Sequence, residues 1–176
     1  MSGVSLVRTI VLWGILGSAV WTDVRAYKIP NRLILCGVCV GVLTAVLEGP
    51  GAVAQSLICG PVMLGIGFLF WKLHVWKAGD AKLLWVVGHF YTLDRLPLLF
   101  ACIMIAGGAC AFLLLCRRRL LKERLTKIVR YFQWCFLSRQ YQPYQPEDEG
   151  NAGMPFAVAV FFGELISWMA QYLRVG

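Results

Sequence analysis

The feature that most constrains this chain is a series of six apolar stretches: Val4–Thr22, Leu33–Leu47, Ala52–Trp71, Ala81–Leu93, Leu96–Cys116 and Met154–Leu173. A helix that crosses a bilayer needs about 20 mostly apolar residues, with a range of about 17–25. Most of the six approach or reach that length, and the fourth falls short of an ideal span. The runs are continuous, without alternation of apolar and polar residues, which predicts helices and excludes a barrel. Composition agrees, with 59% of the 176 residues hydrophobic and 15% charged. A soluble domain has about 45–50% apolar and about 25% charged residues, so a soluble monomer and a disordered chain are both excluded. The expected fold is all-α. It is a polytopic membrane helical bundle of six transmembrane helices plus one cytoplasmic interfacial amphipathic helix. One integral membrane domain is expected over residues 1–176.

Basic residues give the direction of the spans. The loops after the first, third and fifth stretches carry 14 of the 17 Lys and Arg, among them Arg25, Lys28, Lys77, Lys82 and the triplet Arg117–Arg119. Only Arg8, Arg95 and Arg174 fall on the other side. The three rich loops are therefore expected in the cytoplasm and both termini outside, in the plasma (inner) membrane. The first stretch is followed, not preceded, by its positive charges, which reverses the order in a signal peptide and predicts a retained first helix. The net charge of +8 on so apolar a chain points to anionic lipid headgroups as a partner. No nucleic-acid-reading motif interleaves with the basic residues, so no nucleic-acid partner is expected.

Residues 117–153 form the longest loop. Leu121, Leu125, Ile128, Phe132 and Cys135 recur at helical spacing with basic residues between them. This predicts a basic amphipathic helix lying on the inner leaflet, followed by a flexible tether through Gln142-Pro143 and Gln145-Pro146. The seven cysteines fall in apolar or amphipathic stretches. Cys36 and Cys39 have CxxC spacing, but a zinc site needs a second pair. The cysteines are read as small buried hydrophobes, and no metal or cofactor is expected.

Acids are scarce in and beside the spans. Asp23 closes the first stretch and Asp80 opens the fourth, so the topology puts two carboxyls at one membrane face and at similar depth. An acid at a bilayer boundary is costly unless it is paired, hydrated or used. Two readings stand for each. Asp80 after Gly79 either caps the fourth helix or serves chemistry. Asp23 either pairs with Arg25 or Lys28, or serves chemistry. Asn31, after Pro30, is a candidate cap for the second helix. Glu164 should lie deep in the last span, held by a hydrogen bond to a neighbouring helix or used in function. His74 and His89 are too isolated to form a ligand set.

The residues around the two acids carry a resemblance. Asp23-Val24-Arg25-Ala26-Tyr27-Lys28-Ile29-Pro30-Asn31 resembles the D-x-[RK]-x-x-x-I-P-N signature of type IV prepilin peptidases. Ala78-Gly79-Asp80-Ala81-Lys82-Leu83 resembles the second signature of that family, G-x-G-D-x-K-L, with Lys77 in place of the first glycine. Met154-Pro155-Phe156-Ala157 is similar to the proline-aromatic approach to the final span of the family. The resemblance covers most of the chain outside residues 117–153. It implies an intramembrane aspartic endopeptidase that cleaves the leader of a prepilin-like single-span membrane protein (a type IV pilin or pseudopilin) at the cytoplasmic face. Asp23 and Asp80 would be catalytic, with Arg25, Pro30, Asn31, Gly79 and Lys82 as support or substrate contacts. No soluble segment precedes Asp23 and no cysteine tetrad is present, so the short branch without N-methyltransferase activity is expected.

Two nearby carboxyls cannot both ionise easily, so one keeps a proton. Asp80 at a helix N-terminus is expected to be the ionised member and Asp23 at a helix C-terminus the protonated one. Arg25, Lys77 and Lys82 are expected to bring the titration of the pair down. Lys82 either tunes Asp80 or orients substrate, or else anchors the interface. Two other classes compete: a proton-coupled transporter relaying through Asp23, Asp80 and Glu164, and a non-catalytic membrane scaffold related to the enzymes. A relay predicts acids at staggered depths, whereas two acids at one face suit a dyad.

Overall fold

The computed structural model describes residues 3–117, 126 and 155–175. Among them are six helices: α1 (Gly3–Ala26), α2 (Asn31–Glu48), α3 (Pro50–Lys72), α4 (Ala78–Gly88), α5 (Leu96–Arg117) and α6 (Phe156–Val175). The amphipathic helix and tether expected within residues 117–153 lie, apart from Arg117 and residue 126, outside the described residues. The chain divides into two compact units, Met1–Gly107 with Pro155–Gly176, and Gly108–Met154. Asp23, Asp80 and Glu164 all lie in the first.

Four helices are long and apolar enough to cross a membrane: Leu6–Ala26 within α1, then α2, α3 and α5. The expected count of six is thus met in part. At 11 residues, α4 rises only about 16 Å, roughly half a hydrocarbon core, too short to cross as a helix by itself. Its residues stay apolar because it is buried in protein: Leu83, Leu84, Val86 and Val87 have no exposed surface. The apolar part of α6, Phe156–Gln171, is also shorter than the four.

Local chemistry sets the boundaries. α1 runs one turn past Asp23 and stops at Tyr27, which takes a left-handed conformation, φ 49°. Pro30 then opens α2, where its fixed φ of −67° suits the start of a helix. One residue, Gly49 at φ 117°, joins α2 to α3. That conformation excludes a side chain at little cost only for glycine.

Small residues bring α3 and α4 together, as they do in membrane bundles. A Cβ on Gly67 would fall 2.7 Å from the Cα of Ala81, beside Asp80. At the other end of α4, a Cβ on Gly88 would fall 2.6 Å from the carbonyl oxygen of Cys59. Gly163 of α6 lies similarly against the backbone of Ile103 in α5. Among the described residues three cysteines depart from the reading as buried hydrophobes: Cys59 and Cys102 are buried and Cys110 is half-buried, but Cys36 and Cys39 on α2 and Cys116 on α5 are exposed. On a membrane-crossing helix that exposed face meets lipid, where a small apolar thiol is equally at home.

Candidate active site

The end of α1 and the starts of α2, α4 and α6 meet at one end of the unit. Asp23 and Asp80 are brought together there, 6% and 8% exposed. They are close enough for the charge of Asp23 to act on Asp80.

Asp23 does not pair with its basic neighbours. Its Oδ2 accepts the amide of Ala157, 2.9 Å, in the first turn of α6. Pro155, just before α6, has no side chain that can cap a helix. The Asp23 carboxyl therefore serves a free amide of α6 from a different helix. The carboxyl thus sits at the end of α1 and faces the start of α6. Arg25 turns the other way and lies 3.9 Å from the ring centroid of the exposed Trp21.

Asp80 is not an N-cap. Lys77 holds that position, and Asp80, three residues on, accepts the Lys77 amide on Oδ2 at 2.9 Å. The carboxyl thus closes the first turn of its own helix. Burial, the main cause, and the charge of Asp23 push Asp80 up from 3.8 to about 6, against the lowering pull of the Lys77 amide and ammonium. Two expectations are corrected. Neighbouring cations do not bring Asp80 down on balance, because burial outweighs them. Nor is Asp80 favoured as the ionised member, because a helix start does not compensate for its loss of water.

Asn31 does not cap α2. Its side-chain oxygen instead accepts the Lys82 ammonium at 3.0 Å, tying the start of α2 to the second turn of α4. Pro30 is exposed at the N-cap of α2. Gly79 is half-buried in the first turn of α4, and a Cβ there would meet nothing within 4 Å. Beside the acids, Trp76 stacks on Phe70 at 4.3 Å and meets Phe156 at 4.9 Å between ring centroids. These rings pack the loop before α4 against the start of α6.

The polar groups away from the dyad have other partners. Glu164, 2% exposed, accepts from the Trp13 indole and, at 3.1 Å, from the Tyr91 hydroxyl. Arg8 pairs with Glu48 and donates to the His89 carbonyl at 2.8 Å. His89, 3% exposed, meets the Ser56 hydroxyl through Nδ1 at 3.0 Å. Sequence reasoning missed the Ala157 amide as a partner of Asp23, although Pro155 marks the start of α6. It also missed Arg8–Glu48, which no local pattern announces.

The sequence profile of the type IV leader peptidase family matches residues 10–112, a stretch that runs from α1 into α5 and holds both acids. Neither the curated proteins nor the solved structures contain a match. The profile covers more than half of the chain, and together with the four helices among the described residues that are long and apolar enough to cross a membrane it makes this an integral membrane peptidase of the type IV leader peptidase family.

Proposed function

We propose that the chain is an aspartic endopeptidase that removes the leader from prepilin-like single-span proteins, at the cytoplasmic face of the plasma (inner) membrane. Both termini lie outside in this reading, and residues 1–176 act as one peptidase domain without N-methyltransferase activity. The observation that carries it is the pair of buried carboxyls, Asp23 and Asp80, drawn together from two helices and electrostatically coupled.

In the mechanism Asp80 holds the shared proton and Asp23 is the anion, although the proton belongs to the pair. Asp23 takes a proton from a water as the water oxygen attacks the scissile carbonyl carbon. Asp80 donates its proton to the carbonyl oxygen, giving a neutral tetrahedral diol. The carbon–nitrogen bond then breaks, the leaving amine takes the proton from Asp23, and a diol proton returns to Asp80. Arg25, Lys82 with Asn31, Pro30 and Gly79 support the site or meet substrate. The donors already committed to Glu164 favour a dyad over a three-acid proton relay.

The test incubates the purified full chain in detergent with a single-span substrate bearing a basic leader. Cleavage at the leader boundary, mapped by mass spectrometry and unchanged by chelator, is the expected result. Intact substrate, under conditions where a working leader peptidase cleaves it, overturns the reading.

A further inference from the structure

The chain departs from the G-x-G-D pattern at Lys77, and the structure gives that lysine three connections. Its backbone is extended at φ −81°, ψ 157°, a conformation that needs no glycine. Its amide donates to the Asp80 carboxyl at 2.9 Å, and its carbonyl accepts the Asp80 amide at 3.0 Å. Its ammonium lies 5.8 Å from the centroid of the Tyr27 ring, within cation–π reach.

Tyr27 is equally tied to the other acid. Its amide donates to the Asp23 carbonyl at 2.9 Å. Its left-handed φ of 49° is one that glycine or asparagine adopts more readily at a helix end. A tyrosine kept in that conformation needs a compensating contact, and the Lys77 ammonium supplies one.

We propose that Lys77 is a positioning residue for the reaction, which clasps the start of α4 to the end of α1 through Tyr27 and so sets the spacing of Asp23 and Asp80. A glycine at this position could not make the bridge. The proposal rests on the peptidase reading above for its activity assays. The charges that act on Asp80 are Asp23 from α1, which raises it, and Lys77, which lowers it; Lys82 of its own helix is engaged by Asn31 of α2. α6 presents its first-turn amide at Ala157 to Asp23.

The test is a double-mutant cycle in the full-length protein. K77A and Y27N should each lower kcat by about tenfold, since small misplacements of reacting groups are costly. The double variant should be no worse than either alone. K77R and Y27F keep the cation and the ring and should restore wild-type kcat. K77A should also move the basic limb of the kcat/KM profile upward, because the ammonium that lowers Asp80 is gone. K77R should leave that limb in place.

A second readout needs no substrate. The infrared carbonyl band of the protonated carboxyl that D80N removes should titrate at higher pH in K77A than in wild type. If the wild type cleaves nothing, the peptidase reading fails while the infrared titration still decides on Lys77. Additive losses in the cycle, or an Asp80 titration that K77A leaves in place, overturn the proposal.

Discussion

Two regions of the unit hold buried acids, and they treat them differently. Glu164 is embraced by two side-chain donors, the Trp13 indole and the Tyr91 hydroxyl. Asp23 and Asp80 each take one backbone amide among the described residues, and they face each other's charge. Buried polar groups are normally supplied with partners. Donors brought from distant helices to one carboxyl mark a structural acid. Two carboxyls left with spare lone pairs beside each other are what the proposed dyad calls for, a site where stability is given up for reactivity.

That contrast breaks first on the dyad. D23N and D80N should each lower cleavage by about 10³-fold or more, because either change removes a proton-transfer step that belongs to the pair. E164Q, read in the same assay, should stay within about threefold, as a group remote from the reacting atoms. A loss with E164Q as deep as with the aspartates would erase the distinction.

Stability should sort the acids in the opposite order. Glu164→Ala leaves the Trp13 and Tyr91 donors unpaired inside the bundle and should cost about 3 kcal/mol in detergent melts. Asp80 is the reverse case. Its carboxyl stands at about 6 in the fold against 3.8 unperturbed. The neutral form is thus preferred in the folded state, and its stabilising contribution is fully present below about pH 4 and lost as pH rises through 6. D80N keeps an oxygen for the Lys77 amide and removes the cost of burying charge. It should melt higher than wild type at pH 7, by up to about 3 kcal/mol, with the gain fading toward pH 4. A D80N protein less stable than wild type at pH 7 would make Asp80 a structural acid like Glu164.

The α3–α4 contact offers a finer comparison. Gly67 lies against Ala81, next to Asp80, and Gly88 lies against Cys59 at the far end of α4. Alanine at either position should cost a similar 1–3 kcal/mol or so by overpacking. Only G67A pushes on the turn that carries Asp80, so kcat should fall about tenfold more in G67A than in G88A. Equal kcat in the two variants would detach the turn from the chemistry.

The parts visible before folding were those written in local pattern. Apolar runs located all six helices of the described residues, and the segment from Asp23 to Asn31 and the turn around Asp80 pointed to one end of the bundle. What escaped was set by partners far apart in the chain. The Ala157 amide reaches Asp23 across 134 positions, and Trp13 reaches Glu164 across 151. Neither distance leaves a periodic trace. The fourth stretch resembles the other spans because burial in protein and burial in lipid select the same side chains, and its shortness, 11 residues in α4, is what sets it apart. Asn31 looked like a cap because that is its commonest local use, yet the Lys82 ammonium takes its side chain instead.

The smallest expected effect falls on Gly79, next to Asp80. Helical glycines at Gly67 and Gly88 are required by backbone pressed against them, but a Cβ on Gly79 would enter open space. The fold therefore gives no reason for glycine, and helix propensity argues for alanine by up to about 1 kcal/mol. G79A should melt at or slightly above the wild-type temperature. In the proposed reading this open space, one residue from Asp80, receives the substrate backbone. A methyl group there should raise KM by about threefold and leave kcat alone, the signature of lost ground-state binding with intact chemistry. An unchanged KM would take Gly79 out of the substrate path, and the glycine would then have neither a structural nor a binding reason in this fold.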